Sequence, residues 1–399
     1  MRLLEQLDLE AEAKRIEPKI LALRRDIHAH PELSYAEERT AKLVAEKLRE
    51  LGIEVKTKIG GTTGVMGILK GEKNGKVIGL RADMDALPVT EDVDLPFKSI
   101  NPGVMHSCGH DTHVAMLLGA AEILSNHKSD LSGIVKFFFQ PAEEDGGRGG
   151  AEPMIEAGVM ENPKVDYVFG LHIGGEYPSG TFGVRPGPFM AAPNAFKIRI
   201  IGKGGHGSRP HETIDPIFVS AELIVALQGI SSRIVNPVEP FVVSVCSIHA
   251  GTKDNVIPDD ALLLGTIRTM NDKTRALAKK SVSQITKAVC DAFGAKYELS
   301  FKEDAYPVTY NDEKATEKVF EILKTIKGTK THEIDVKLGA EDFSRFLKKA
   351  PGTFYYLGTR NEKKGCIHPN HSSKFKVDED VLKFGSISLA KLALEFGKP

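Results

Sequence analysis

Metal-binding residue types are concentrated in a few short segments of this chain. The densest segment runs from Met105 to His113 and holds Cys108 and His110 in a Cys-x-His arrangement. Two adjacent acids, Glu143 and Glu144, follow a phenylalanine-rich apolar run. Further donors end other apolar runs or lie late in the chain, namely Asp83, Asp85, His172, His368 and His371. Thiolate, imidazole and carboxylate together favour zinc, or manganese where carboxylates dominate. The pattern therefore predicts a divalent metal site assembled from distant segments.

The two densest segments each allow two interpretations. Cys108 and His110 precede a predicted helix capped by Asp111. A helix N-terminus lowers the pKa of a nearby thiol, which would favour the metal-binding thiolate. The alternative is a buried cysteine beside helix-capping histidines. Adjacent side chains point in different directions, so Glu143 and Glu144 can serve as one general base and one metal ligand. The alternative for this pair is a solvated acidic loop.

The remaining donors are less specific. Asp83 and Asp85 share one face of a strand and could orient a metal ligand, although an ion-paired loop has the same pattern. His172 follows an apolar run and fits either a ligand or a buried structural histidine. Spacing alone does not choose between His368 and His371 as a further ligand.

Three short apolar runs must position most of these side chains. They cover residues 77–80, 134–139 and 167–171. Such runs, bounded by breakers, predict buried parallel strands, and ligands of an open α/β sheet bind where the strands end. Ser34 and Glu37 form a capping-box pattern for a helix that begins directly after Ser34. We therefore expect an α/β domain in which helices flank a sheet.

A different pattern covers residues 195–301. Its predicted elements follow the order β-α-β-β-α-β, which is typical of ferredoxin-like α+β domains. Proline-containing stretches flank it, so we predict a catalytic domain in two parts, residues 1–188 and 306–399, and an inserted domain over residues 189–305. The run 202–207 matches G-x-G-x-x-G, but no helix is predicted to open at its third glycine, which disfavours a dinucleotide site.

The composition excludes several classes of protein. The chain has 399 residues, 41% hydrophobic and 27% charged, with a net charge of −1, so we expect neither nucleic acid nor a membrane as partner. No run reaches the roughly 18 uninterrupted apolar residues that a membrane span needs. Four cysteines over this length do not form a disulfide scaffold, and they favour a reducing, cytoplasmic setting. The lysine-rich charge and the lack of tryptophan point to a heat-loving source.

The segments 81–88, 105–113 and 140–144 resemble the aminoacylase/carboxypeptidase superfamily of two-metal amidohydrolases, in its hippurate-hydrolase and auxin-conjugate-hydrolase branch. The likeness extends over nearly the whole chain, through residues 202–216, 339–343 and 371–375. The segments 361–366 and 369–375 are similar to thermostable zinc carboxypeptidases of heat-loving archaea. The resemblance implies a zinc-peptidase-like α/β catalytic domain with a mixed sheet and flanking helices. It also implies an inserted ferredoxin-like α+β domain that serves as lid and dimerisation domain.

The resemblance implies roles for individual residues as well. Its metal ligands would be Cys108, His110, Glu144, His172 and His371. Glu143 would be the general base, and Asp85 a carboxylate that orients a ligand. Relatives form dimers and lend a histidine to the partner's active site, and the residues that look like their substrate contacts are His206, Asn255 and Arg268. Cys108 stands where other branches carry a bridging aspartate, and Asp83 where they carry a metal-binding histidine, so occupancy by a single ion stays open.

The sequence thus predicts a metal-dependent hydrolase of the amide bond before a free C-terminal amino acid, in N-blocked peptides or N-acyl amino acids. We expect one or two divalent ions per subunit, zinc first and manganese or cobalt as alternatives, in a homodimer or homotetramer. An N-acetyl-diaminopimelate-type deacetylase is an alternative with similar chemistry. Alternatives of other classes are a cysteine amidase, with Cys108 as nucleophile and His110 as base, and a non-catalytic metal- or peptide-binding protein.

Overall fold

The computed structural model describes residues 8–399, which form two compact units. The first unit contains residues 8–187, Tyr310–Asp335 and Asp342–Pro399. The second contains Pro188–Thr309 together with the short segment Val336–Glu341. The chain therefore leaves the first unit and returns to it twice.

Helices and strands are numbered along the chain. The helices are α1 (Leu9–Ala29), α2 (Glu38–Glu50), α3 (His110–Asn126), α4 (Ala151–Glu156), α5 (Pro216–Gly229), α6 (Asp272–Ala292), α7 (Glu313–Lys324), α8 (Ser344–Leu347) and α9 (Leu382–Phe396). The strands are β1 (Glu54–Ile59), β2 (Gly64–Lys70), β3 (Lys73–Asp83), β4 (Ser132–Gln140), β5 (Tyr167–Pro178), β6 (Thr181–Val184), β7 (Gly187–Met190), β8 (Ala192–Ile201), β9 (Gly205–His206), β10 (Phe241–Ala250), β11 (Val256–Ile257), β12 (Asp260–Thr269), β13 (Lys296–Phe301), β14 (Thr309–Asn311), β15 (Lys330–Glu333) and β16 (Gly352–Arg360).

The first unit is built on an eight-stranded mixed sheet, in the order β1-β2-β4-β3-β5-β16-β6-β15. Strand β3 pairs in parallel with β4 and β5, whereas β1, β2 and β4 are joined by antiparallel pairings. Helices α1, α3 and α9 pack against one another, and α3 and α9 contact the sheet. Because α3 is apolar on most of its surface, it is buried on all sides. The predicted α/β class, with a mixed sheet and flanking helices, is confirmed.

Three local predictions were wrong. Helix α2 begins at Glu38, with Glu37 as its N-cap residue, and not after Ser34, because the Ser34 hydroxyl bonds to Asp85 and the Glu37 carboxylate bonds to Ala142. Helix α3 has Gly109 as its N-cap, because the Asp111 carboxylate is taken by buried bonds to α1. Strand β5 does not end before His172 but continues through it, since parallel pairing with β16 extends beyond that residue.

The second unit has a four-stranded antiparallel sheet in the order β10-β12-β8-β13. Its main elements run β8, α5, β10, β12, α6, β13, so α5 and α6 connect strands of one sheet. Apolar side chains of both helices, such as Leu223 and Val282, share its core. By length and composition alone, the helical stretch Pro216–Ile234 would suffice to cross a membrane. Within it, 28% of the most apolar 18-residue segment is buried. Leu223 and Leu227 use that buried side to cover the sheet.

Candidate metal centre

His110 is presented by the first turn of α3. Gly109, before it, adopts a left-handed φ of 92°, and a Cβ there would lie 2.2 Å from Cδ1 of Ile173, so the turn into the helix requires glycine. The buried imidazole has its Nδ1 3.2 Å from Oδ1 of Asp85. Its Nε2 is buried and has no hydrogen-bond partner among the described residues. A carboxylate behind one ring nitrogen leaves the other oriented for a metal ion.

A first group of donors consists of Cys108, His110 and His172, whose ligand atoms lie within 4.8 Å of one another. Nδ1 of His172 donates to the carbonyl of Ile173 at 2.6 Å. Its Nε2 therefore faces Sγ of Cys108, at 3.4 Å. All three side chains are buried, and their atoms are the soft ligands that zinc prefers.

A second group consists of Cys108, Glu144 and His371, and its ligand atoms satisfy the same 4.8 Å limit. Nε2 of His371 lies 3.2 Å from Oε1 of Glu144, and this pairing raises the pKa of the imidazole. The backbone N–H of His371 donates to the carbonyl of Ser107 at 2.8 Å, and Nδ2 of Asn370 donates to the carbonyl of Cys108 at 2.9 Å. These bonds fix the late loop against the Cys108 segment. Cys108 belongs to both groups, so its sulfur is within reach of both sets of donor atoms.

A third group, Asp83, His110 and His113, is better explained by hydrogen bonds than by a metal. Nδ1 of His113 donates to Oδ1 of Asp83 at 2.5 Å, and its Nε2 accepts the backbone N–H of Ile173 at 2.9 Å. Both ring nitrogens of His113 are thereby used. Asp83 also pairs with Arg81 at 2.6 Å, so this group supports the neighbouring ligands.

The electrostatics of Cys108 differ from the expectation at a helix N-terminus. Burial, together with Glu144, Glu143 and Asp83, raises the pKa of this thiol well above its usual range. Three nearby carboxylates outweigh the helix dipole, and a thiolate is stabilised there only when cations neutralise them. Although burial opposes it, Asp83 and Asp85 raise the pKa of His110 to about 10. The buried carboxylates therefore favour the binding of cations here, and the donor set fits a divalent metal.

Glu143 begins a short 3-10 turn, Glu143–Asp145, directly after β4 and the left-handed residue Ala142. Its carboxylate is buried, and its ligand atom lies within 4.8 Å of those of His110 and Glu144. The backbone N–H of Glu144 donates to Oδ2 of Asp85 at 2.9 Å, which fixes the turn. Glu143 is thus beside the metal groups and belongs to neither of the two that share Cys108.

One network of buried side chains that supports the site was not predicted from the sequence. Arg81 is 1% exposed and donates to Oε1 of Gln140 at 2.9 Å, to Asp83 at 2.6 Å and to Asp342 at 2.9 Å. Asp342 also accepts the N–H of Ala151 at 3.0 Å. An Arg two residues before an Asp at a strand end could have drawn attention, but nothing in the spacing links residue 81 to residue 342.

The remaining predicted residues lie elsewhere. His206 and Asn255 are exposed neighbours in the second unit, because His206 pairs with Val256 where β9 meets β11. Arg268 is on β12 of the same unit, half-buried, with Nη1 bonded to Oγ1 of Thr266 at 2.9 Å. His368 is in none of the donor groups, whereas His371 is, so the geometry favours the latter.

Comparison with known proteins places the chain in a family. The model of peptidase family M20/M25/M40 matches residues 79–395. Thermostable carboxypeptidase 1 of Saccharolobus solfataricus is 57% identical over 388 residues, which cover 97% of this chain and 98% of that protein. Hippurate hydrolase of Campylobacter jejuni is 40% identical over 399 residues, 99% of each chain. The crystal structure of Bacillus subtilis YXEP, a dinuclear metal-binding peptidase of family M20, has a TM-score of 0.83 and 35% identity, and the match covers 96% of this chain and 99% of that one. The chain is therefore a member of the M20/M25/M40 peptidase family.

Proposed function

We propose that this protein uses a pair of divalent ions to hydrolyse the amide bond before a free C-terminal amino acid, in N-blocked peptides or N-acyl amino acids. The observation that carries the proposal is the pair of donor groups that share Cys108, with Glu143 beside them. The similarity to a carboxypeptidase and to a hippurate hydrolase supports the same bond type. Cys108, His110 and His172 would hold one ion, and Cys108, Glu144 and His371 the other.

The chain's own groups would act on the water and the leaving amine. Bound divalent ions would act as Lewis acids and lower the pKa of the attacking water to about 7. Glu143 takes the proton from the attacking water and gives it to the amine that departs. Asp85 holds Nδ1 of His110 and so keeps its Nε2 towards the centre. Burial of Glu143 keeps its carboxylate out of bulk solvent, which strengthens its contact with the reacting atoms.

Residues of the second unit would bind the substrate. We assign the free carboxylate to Arg268, because a guanidinium fork matches a carboxylate in two parallel hydrogen bonds. His206 and Asn255 are exposed side by side. His206 would donate to the developing oxyanion of the scissile amide, and Asn255 would bind the free carboxylate together with Arg268. Exposed apolar residues on α5, such as Phe218 and Val225, support self-association into a dimer.

Zinc is the metal we propose, because thiolate and imidazole ligands select it over harder ions. The four cysteines are free, which supports a cytoplasmic setting. The thermostable archaeal relative supports a heat-stable protein. A cysteine amidase is disfavoured, since Sγ of Cys108 forms its hydrogen-bond contact with Nε2 of His172 at 3.4 Å, and burial together with the surrounding carboxylates raises the pKa of the thiol.

The test is turnover of a panel of N-acyl amino acids and N-blocked dipeptides by metal-loaded protein. We expect activity that a chelator removes and Zn²⁺, Mn²⁺ or Co²⁺ restores. Glu143→Gln should keep both ions and lose about 10²–10⁴-fold in kcat. Asp145→Asn, an exposed acid in the same turn, is the matched control and should keep its turnover. An active Glu143→Gln would refute the general-base role, and chelator-resistant activity would refute the metal mechanism.

A further inference from the structure

A four-residue segment before α2 contacts both halves of the candidate site. Oγ of Ser34 donates to Oδ2 of Asp85 at 2.7 Å. Oε1 of Glu37 accepts the backbone N–H of Ala142 at 2.8 Å, one residue before Glu143. We propose that residues 34–37 position the catalytic groups, with Glu37 acting through Ala142 on Glu143 and Ser34 acting through Asp85 on His110. This inference rests on the proposed role of Glu143 as general base.

The Glu37 carboxylate joins two backbone positions that are strained. Tyr35 and Ala142 have left-handed φ angles of 64° and 52°, which are unfavourable for residues with a Cβ. The N–H groups of both residues donate to the same oxygen, Oε1 of Glu37, at 3.0 Å and 2.8 Å. The other oxygen, Oε2, accepts the hydroxyl of Thr63 at 2.5 Å. One carboxylate therefore holds two unfavourable backbone conformations, 107 residues apart by their numbers, in fixed positions.

The burial of Glu37 shows that this arrangement is maintained at a cost. The side chain is 0% exposed, and burial raises its pKa to about 7. Removing a carboxyl from water is unfavourable unless hydrogen bonds compensate. Here the compensation comes from the two backbone N–H groups and one hydroxyl described above. The capping of α2 does not explain the residue, since its side chain makes no capping bond.

The consequence for catalysis follows from the position of Ala142. A change in its backbone angles swings the next residue, Glu143, relative to the donor groups of the metal centre. A displacement of about 1 Å at a reacting group can lower the rate by roughly 10²-fold. Loss of the Ser34 hydroxyl should disturb the site less than loss of the Glu37 carboxylate. Asp85 also accepts the N–H of Glu144 and contacts His110, and both contacts are independent of Ser34. Loss of such an outer contact typically lowers metal affinity by about 10-fold or more.

The experiment compares Glu37→Ala and Glu37→Gln in the metal-loaded enzyme. Glu37→Ala is expected to lower kcat by about 10–100-fold, with KM and bound metal unchanged, because the base moves while the ligands stay. Glu37→Gln should recover most of this loss, since its amide oxygen accepts both N–H groups and its NH₂ can donate to Thr63. Glu38→Ala, at an exposed neighbouring acid, is the control and should behave as wild type. Ser34→Ala should instead weaken metal binding about 10-fold, as measured by titration with Zn²⁺.

A double-mutant cycle with Glu143→Gln separates positioning from general damage. If Glu37 acts through Glu143, the Glu37→Ala effect on kcat disappears in the Glu143→Gln background. An effect that persists there, a kcat of Glu37→Ala within about threefold of wild type, or loss of metal in that variant would overturn the role of Glu37. Unchanged Zn²⁺ affinity of Ser34→Ala would overturn the role of Ser34. An active Glu143→Gln would instead remove the general base itself, and so identifies a failure of the proposed function.

Discussion

Replacement of Arg81 by methionine tests how much the buried charge network stabilises the first unit. Arg81 is 1% exposed, and it donates to two carboxylates that are 0% exposed, Asp83 at 2.6 Å and Asp342 at 2.9 Å. Methionine fills much of the volume but leaves both acids without this cation. Breaking a buried pair by removing one partner costs about 3–5 kcal/mol, because a charge stays buried without compensation.

The other hydrogen bonds of Asp83 and Asp342 limit the loss of stability in Arg81→Met to about 3–5 kcal/mol. Asp83 keeps its bond to His113, and Asp342 keeps Nε2 of Gln140 at 2.8 Å and the N–H of Ala151 at 3.0 Å. We therefore expect the free energy of unfolding to fall by about 3–5 kcal/mol and not by twice that amount. Adding Asp342→Asn removes one of the two stranded charges. The double variant should be more stable than the sum of the single effects predicts, by at least about 1 kcal/mol.

The matched control is Arg15→Met in α1 of the same unit. Arg15 pairs with Glu12 at 2.8 Å, but the two side chains are 45% and 21% exposed. An exposed pair contributes about 0–1 kcal/mol, so burial and not distance should separate the two variants. Unfolding in urea can be followed by far-ultraviolet circular dichroism, since the chain contains no tryptophan. A difference below about 1 kcal/mol between the two variants would refute the reasoning.

Three further predictions concern Lys136, the candidate metal ligands and Glu37. Lys136→Met removes an ammonium that donates to the backbone carbonyls of Val159, Glu161 and Pro163. The substitution should lower the free energy of unfolding, measured in urea, by about 3 kcal/mol. His172→Ala and His371→Ala should each weaken binding of one ion, whereas Cys108→Ala should weaken both, as measured by metal analysis after dialysis; equal losses from all three would contradict a shared Cys108. The Glu37 carboxyl, whose pKa burial raises from 4.5 to about 7, holds its proton more tightly in the folded state, so its contribution is complete below pH 4.5 and is lost as the pH rises through about 7. Relative to Glu37→Gln, wild type should therefore lose about 3 kcal/mol of stability across that window in urea unfolding, and parallel pH curves for the two proteins would argue against it.

Local sequence patterns predicted where helices and strands lie better than they predicted the residues at which these begin and end. The apolar runs 77–80 and 134–139 lie inside β3 and β4, because period and composition report burial directly. The capping rules failed at Asp111, since that carboxylate instead forms an ion pair with Arg24 at 2.9 Å and accepts a hydrogen bond from His28 at 2.8 Å. Both partners are more than 80 residues away, and no local rule includes so distant a competitor. Ser34 failed as a helix cap for the same reason, because its hydroxyl is bonded to Asp85.

The candidate metal ligands are brought together by the register in which β3, β4 and β5 pair. They are not brought together by each strand ending next to the site. Asp83 is paired with Gln140 across β3 and β4, and Arg81 is paired with Gly170 across β3 and β5. Two residues further along, His172 is therefore level with Asp83, although β5 continues beyond it to Pro178. The prediction that ligands lie at strand ends is correct for β3 and β4, because these two strands end at Asp83 and Gln140, which are paired. Parallel pairing fixes the level itself, and residue patterns within one strand contain no information about the register of its neighbours. A sequence can thus nominate the donor segments of such a site, whereas the distances among them depend on pairings that form only in the folded sheet.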